Sequence, residues 1–164
     1  MTEANVPENE VERLEHLYQL KMLFSSPEEE FDRITRLACR TLGVKIAAIS
    51  LIDKERQWFK SITGFDITET SRKVAFCAHA ILQDKPLVVL DASRDSRFFD
   101  NPLVLENPKI RFYAGVPLAL SSNIKIGTLC VIDTKPMYFS DQQLKDLVDL
   151  AKITEDLLRT KLKR

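Results

Sequence analysis

Cysteine, histidine and unbalanced charge are all scarce in this chain. Its 164 residues hold three cysteines and two histidines, and Lys plus Arg equal Asp plus Glu at 24 each. Three widely spaced cysteines make no disulfide framework, so a reducing, cytoplasmic setting is expected. A structural zinc site takes four ligands, and Cys and His scattered from residue 16 to residue 130 do not supply one. No metal and no cofactor are therefore expected. A net charge of zero lacks the basic excess of a nucleic-acid binder. No apolar run approaches the roughly 20 residues of a membrane span. The opening MTEANVPENEVE is acidic and polar, so no signal peptide is expected either. The chain shows no internal repeat and no low-complexity segment.

What is present is the make-up of one globular domain, 45% apolar and 29% charged. Residues 1–9 read as a disordered tail and 10–164 as a single domain. Apolar residues recur at helical spacing from Glu10 to Phe24. Ser26 with Glu29 then suggests a capping box, with Pro27 at the first helical position. The helix it opens carries Phe31, Ile34, Ala38 and Leu42 and stops at Gly43. Lys45–Asp53 is apolar on both faces, as in a central strand, and Arg56–Thr63 alternates as the second arm of a hairpin. Gly64–Lys73 reads as polar loop, 74–82 as a short helix, and 87–91 as a brief strand. Ile110–Leu120 and Lys125–Asp133 read as strands joined by a turn at Ser121-Ser122-Asn123. Ser140 with Gln143 forms a second capping box that opens a long last helix. Hairpins dominate, so the expected class is α+β, with a mostly antiparallel sheet and the terminal helices on one face.

Several phrases, in order, resemble the GAF domain family. They are LIDKERQWFKS (51–61), FCAHAI (76–81), DASRDSRFFDNPLV (91–104), IRFYAGVPL (110–118) and IGTLCVID (126–133). The likeness runs from about Glu10 to Leu157. It is to the subgroup found in bacteria beside histidine kinase or diguanylate cyclase output domains. The resemblance implies a PAS-like fold, with a central antiparallel sheet, N- and C-terminal helices on one face, and a pocket of short helices and loops on the other. It also implies a regulatory role, although fold alone does not fix function. Cyclic-nucleotide GAF domains carry an N-K-x-F-x-x-x-D-E pattern that this chain lacks. Bilin carriers place histidine directly after the attachment cysteine, whereas Ala78 separates Cys77 from His79. The free-methionine sulfoxide reductases of this fold cluster cysteines in pocket loops, whereas Cys39 lies mid-helix and Cys130 mid-strand.

Val74, Cys77, Ala78 and Ile81 fall on one helical face, which sends Cys77 and His79 about 160° apart. They then share neither a metal nor a proton. Cys77 reads as small core, and His79 as facing either pocket or solvent. Asp91–Phe98 follows a strand and opens a helical turn whose free N–H groups attract anions or carbonyls. Asp91, Arg94, Asp95 and Arg97 are therefore candidate ligand contacts; the plainer reading is a solvated, self-capped turn. The long loop 98–108 is either a lid or inert surface. Alternation in IRFYAGVPL sends Phe112, Ala114, Val116 and Leu118 toward the helices, and Arg111, Tyr113 and Gly115 toward the pocket. Gly115 would leave space beneath a ligand. Thr128 and Cys130 face the same way. With Phe76 and His79 these residues complete the expected ligand site. A polar edge of Arg94, Arg97 and Arg111 would suit an anionic or carbonyl-rich ligand. In the competing view Tyr113 and Cys130 fill a closed core and Arg111 pairs with Asp91 or Asp95. Trp58 and Phe59 read as packing.

No nucleophile has a visible base within reach, so the chain is expected not to be an enzyme. Three readings follow: a sensory module that binds a small molecule and signals through its terminal helices, a ligand-free dimerisation module, or, with least support, an enzyme on a small metabolite. Second apolar stripes on the first and last helices suggest a homodimer. A helix still running at DLLRTKLKR suggests a fused or partner output domain.

Overall fold

The computed structural model describes residues 1–121 and 123–162. Ser122, in the middle of the expected turn, and the last two residues of the expected domain lie outside the described residues. The helices are α1 (Glu10–Leu20), α2 (Glu29–Leu42), α3 (Phe76–Ala80), α4 (Pro102–Leu105) and α5 (Asp141–Leu162). The strands are β1 (Ile46–Ile52), β2 (Arg56–Thr63), β3 (Glu69–Ser71), β4 (Leu87–Val89), β5 (Phe112–Ser121) and β6 (Ile124–Asp133). They form one antiparallel sheet in the order β3-β2-β1-β6-β5-β4. This is the expected α+β architecture, and the long β5–β6 hairpin joins its two halves.

The two faces of the sheet carry different cores. On one face, α1, α2 and α5 bury Leu17, Phe31, Ala38, Leu147 and Leu158 against Phe112, Ala114, Leu118 and Leu129. Each large apolar side chain fully removed from water there contributes about 1.5–3 kcal/mol. On the other face, α3 and the segments around β4 and α4 cover Ala48, Ile52, Tyr113 and Cys130. Alternation along β5 sorts its residues as expected: Phe112, Ala114, Val116 and Leu118 lie under the helices and Tyr113 lies opposite.

The terminal helix starts where its local signals require. The Ser140 amide donates to Gln143 Oε1 (2.8 Å) and the Gln143 amide to Ser140 Oγ (3.1 Å), a reciprocal cap. Gly43 ends α2 in the left-handed region at φ 66°. The other expected box does not form. Glu28, not Ser26, is the N-cap of α2, and its side chain makes no capping bond. The first helix ends at Leu20, four residues earlier than its apolar spacing suggests, as Lys21 turns left-handed at φ 56°. The loops 64–73 and 98–108 hold β3, a 3-10 turn (Arg72–Val74) and α4, elements too short to show a period.

Residues 1–9, expected to be disordered, follow a defined path over α3. The Thr2 amide donates to the Arg97 carbonyl (3.1 Å), His79 Nε2 to the Thr2 carbonyl (3.0 Å), and Ala4 packs on the second core.

β2 departs from simple alternation. Ile49 pairs with Ser61 and Ser50 with Phe59, so Lys60 is an extra residue, a β-bulge. Lys60 and Ser61 consequently both turn toward the helices. Lys60 Nζ meets Ser25 Oγ and Glu28 Oε2, each at 2.8 Å, and Ser61 Oγ donates to Asp32 Oδ1 at 2.6 Å. Glu28 also takes Lys161 of α5 at 3.0 Å, and Lys161 reaches Glu30 as well. One carboxylate therefore ties the bulge to the last helix.

Candidate functional site

Gln57, Phe59 and Ile62 of β2 lie on the face opposite the helices, where they form one wall of a narrow cleft. Ile46, Cys130 and Ile132 supply its floor from β1 and β6. Phe65, Ile67 and Thr70 close one side, and Leu103, Pro108 and Ile110 the other. Phe76, Cys77 and Tyr113 form the inner end. The cleft is partly open to solvent, and its free volume is about 40 Å³. A water needs roughly 10–15 Å³ on that measure, so the space suits waters or a very small molecule unless the covering segments move.

The lining is apolar with one unsatisfied polar atom. Gln57 is 4% exposed. Its Nε2 donates to Thr70 Oγ1 at 3.1 Å, while its Oε1 is buried without a partner. An unpaired buried acceptor costs about 1–3 kcal/mol, so the cleft offers a ready place for a donor.

The inner end carries the polar chemistry. Tyr113 Oη donates to Cys77 Sγ at 3.2 Å and Thr128 Oγ1 donates to the same sulfur at 3.0 Å. Ser50 Oγ stands 3.0 Å behind Thr128, and the Cys130 thiol lies 3.8 Å from Cys77 Sγ. Burial alone would raise the Cys77 pKa. Hydrogen bonding with Cys130, Ser50, Thr128 and Tyr113 outweighs it and brings the thiol down to about 7. Cys130 is pushed well above its usual range by its hydrogen bond with Cys77 and by burial, and burial does the same to the Tyr113 phenol. The helical reading of FCAHAI separates Cys77 from His79 as expected, and it gives the thiol a partner 53 positions away instead.

The expected site is only partly assembled. Phe76, Tyr113 and Cys130 line the cleft, and Thr128 supports it from beneath. His79 does not reach the cleft; it is half-buried, edge-on to Phe98, with its basicity lowered by burial. The arginine edge does not form. Arg97 donates to Asp95 through Nε (3.0 Å) and Nη2 (2.7 Å). Arg94 lies on the surface, 3.7 Å from Asp91, whose own carboxylate caps Ser93. Arg111 spends its guanidinium on the Val104 and Ile110 carbonyls at 3.0 and 2.9 Å, not on a carboxylate. Gly115 is also reassigned: a Cβ there would come within 2.1 Å of the Tyr113 hydroxyl, so the glycine makes room for Tyr113 and not for a ligand.

Sequence reasoning missed Gln57, Phe65 and Ile67 and set Phe59 aside as packing. The available signal was a lone amide on the apolar alternation of β2, followed by Phe and Ile two apart in a loop taken as polar. Among the described residues, no three His, Cys, Asp or Glu side chains gather to hold a metal ion, and no helix is long and apolar enough to cross a membrane.

The model of the family described as GAF domain matches residues 26–155. A cyclic di-GMP phosphodiesterase of Pseudomonas aeruginosa is 45% identical over 130 residues, covering 79% of this chain but only 22% of that protein. Among solved structures, the GAF domain of an Acinetobacter phosphoenolpyruvate-protein phosphotransferase superposes with a TM-score of 0.64 at 18% identity, over 90% of this chain and 91% of that one. A type II free methionine-R-sulfoxide reductase from Thermoplasma acidophilum gives 0.66 at 13% identity, over 80% and 92%. The relative, which is named a phosphodiesterase, overturns the expectation that the chain is no enzyme, and this chain spans about a fifth of that protein's length.

Proposed function

This chain belongs to the GAF domain family, and from that premise we propose that it is the sensory unit of a cyclic di-GMP-degrading enzyme. In this reading the cleft takes a small, largely apolar molecule that donates a hydrogen bond to Gln57 Oε1. The anionic ligand suggested by the arginines is replaced, because those cations are engaged elsewhere. The observation that carries the reading is the wall the cleft shares with the signalling path. Phe59 and Ile62 line the cleft on either side of the bulged Lys60–Ser61 pair, and Lys60 shares Glu28 with Lys161 near the end of α5. A ligand that moves β2 would strain that carboxylate bridge and bias the terminal helix.

The proposal includes a homodimer through α1 and α5, where Val11, Tyr18, Val148 and Ile153 are exposed, Val11 by 75%. Light scattering at micromolar concentration checks it, and a monomer there counts against it. It also includes a cytoplasmic setting, supported by three free thiols. A ligand-free dimerisation module is the second reading, favoured by the small free volume of the cleft. A thermal-shift screen of small metabolites separates the two. A ligand at about 100 times its Kd adds roughly 2.7 kcal/mol of stability, a rise of several degrees. Gln57→Leu should abolish the rise. If no compound raises the midpoint, the ligand-free reading stands.

A further inference from the structure

The pair at the inner end of the cleft has a chemistry of its own. Cys77 and Cys130 are both buried, 3% and 1% exposed, yet both line a cleft that is partly open to solvent. Their sulfurs are in contact at 3.8 Å, and a disulfide needs an approach of about 1.8 Å more. Cys77 sits on the five-residue helix α3 and Cys130 on the rigid hairpin strand β6, so the approach can come from α3 alone. The titratable groups facing Cys77 are Cys130 from β6 and Tyr113 from β5; Thr128, with Ser50 of β1 behind it, adds neutral hydroxyls. The Tyr113 and Thr128 hydroxyls both donate to this sulfur and favour its thiolate, the form that attacks electrophiles. The free space admits something little larger than water and excludes nucleotides or bulky electrophiles.

We propose that Cys77 and Cys130 form a dithiol that is oxidised by a small neutral hydroperoxide entering the cleft, with Cys77 as the attacking sulfur and Cys130 as the resolving one. The Cys77 thiolate attacks one peroxide oxygen, the O–O bond breaks, and the leaving oxygen takes up a proton to depart as water or an alcohol. The resulting sulfenic acid is displaced by the Cys130 sulfur, an S–S bond forms, and water leaves with the Cys130 proton. Two thiols lose two electrons and the peroxide gains them. Closure would draw α3 onto the sheet and shut the inner end of the cleft between Phe76 and Tyr113. The chemistry requires no other ligand in the cleft and stands apart from the sensory reading.

Exposure alone would make Cys39 react first, because it is the half-exposed thiol. Its pKa is raised by burial and by the nearby Asp133 carboxylate. The test is native protein treated with stoichiometric hydrogen peroxide, then alkylated, digested and mapped by mass spectrometry. The expected product is a linked peptide pair containing Cys77 and Cys130, about 2 Da lighter than the two reduced peptides together, with Cys39 still alkylated. Recovery of both thiols alkylated, oxidation of Cys39 first, or sulfinic acid at Cys77 without the link would each overturn the proposal. Cys130→Ser should leave a sulfenic acid at Cys77 that a diketone probe traps. Should that variant fail to fold, Tyr113→Phe serves, slowing the wild-type reaction about tenfold by removing one donor. The wild-type rate should climb as pH rises through about 7. A rate independent of pH across that range would sink the assignment of Cys77 as the attacking sulfur.

Discussion

The two faces of one sheet are built to different standards. Beneath α1, α2 and α5 the core is aliphatic and aromatic, and the charges at its margin are paired, although Arg13 of α1, bonded to Glu10, keeps one buried nitrogen without a partner. Beneath α3 large side chains such as Ile52, Phe76 and Phe98 are interleaved with alanines (Ala48, Ala75, Ala78, Ala80 and Ala92), two thiols and a tyrosine, and this core borders a cleft holding an unsatisfied amide oxygen. Closely packed apolar atoms leave little room for rearrangement. Small side chains, hydroxyls and an unpaired acceptor leave several arrangements close in energy. The difference suggests a scaffold face that holds the sheet and a responsive face that spends stability on a site.

Four substitutions sharpen that comparison. Phe31→Ala removes a fully buried ring on the scaffold face and should cost about 3–5 kcal/mol in chemical denaturation, close to the whole stability of a marginal domain. A loss below 1 kcal/mol would erase the distinction between the faces. Gly115→Ala acts on the other face. The new methyl would force the buried Tyr113 hydroxyl aside, at a cost of about 1–3 kcal/mol and with loss of its bond to Cys77. An unaltered midpoint would mean that Tyr113 has another rotamer open to it.

Glu28→Gln should cost roughly 1–2 kcal/mol, because Lys60 and Lys161 lose a shared charge partner while Lys161 keeps Glu30. The hydrogen bond from Lys60 leads in holding the Glu28 carboxyl below its ordinary 4.5, with Lys161 adding to it against partial burial, which raises it. A depressed carboxyl stabilises the fold fully above its unfolded value. That contribution fades as pH falls through the lower folded value. Wild type should therefore lose more stability than Glu28→Gln on acidification below about pH 4.5. Parallel acid curves for the two proteins would remove the bridge from the account. The smallest effect is expected from Gln57→Leu, which deletes an unpaired acceptor together with one bond to Thr70. Stability should change by less than about 1 kcal/mol in either direction. A larger loss would mean that Gln57 is structural.

The scaffold face was largely legible in the sequence, and the responsive face was not. The reciprocal cap of Ser140 and Gln143, the stop at Gly43 and the sorting of β5 depend on neighbours within a few residues, and local pattern reports them. The cleft depends on distant partners. Cys77 and Cys130 meet only because β6 lies at the middle of the sheet under α3. Arg97 and Arg111 were judged by residue type, and the groups that occupy them, Asp95 and two loop carbonyls, are set by backbone turns that no periodicity announces. β3 and α4, with three and four residues, span little more than one period of a strand or a helix, too little to establish a repeat.

The bulge at Lys60 has an arithmetic consequence. A strand keeps its faces by parity, odd positions on one side and even on the other, and any single deletion exchanges the two sets beyond it. β2 carries one position that stands outside this count. Without Lys60, Phe59 and Ile62 would be separated by Ser61 alone and would still fall on the cleft side, with Ser61 and Thr63 still turned toward Thr35. The strand can thus lose that residue without exchanging its faces, whereas a deletion at Gln57 or Ile62 cannot be absorbed in this way. Lys60 is a supernumerary step in the ladder, and its side chain is free to serve the helices because the register does not depend on it.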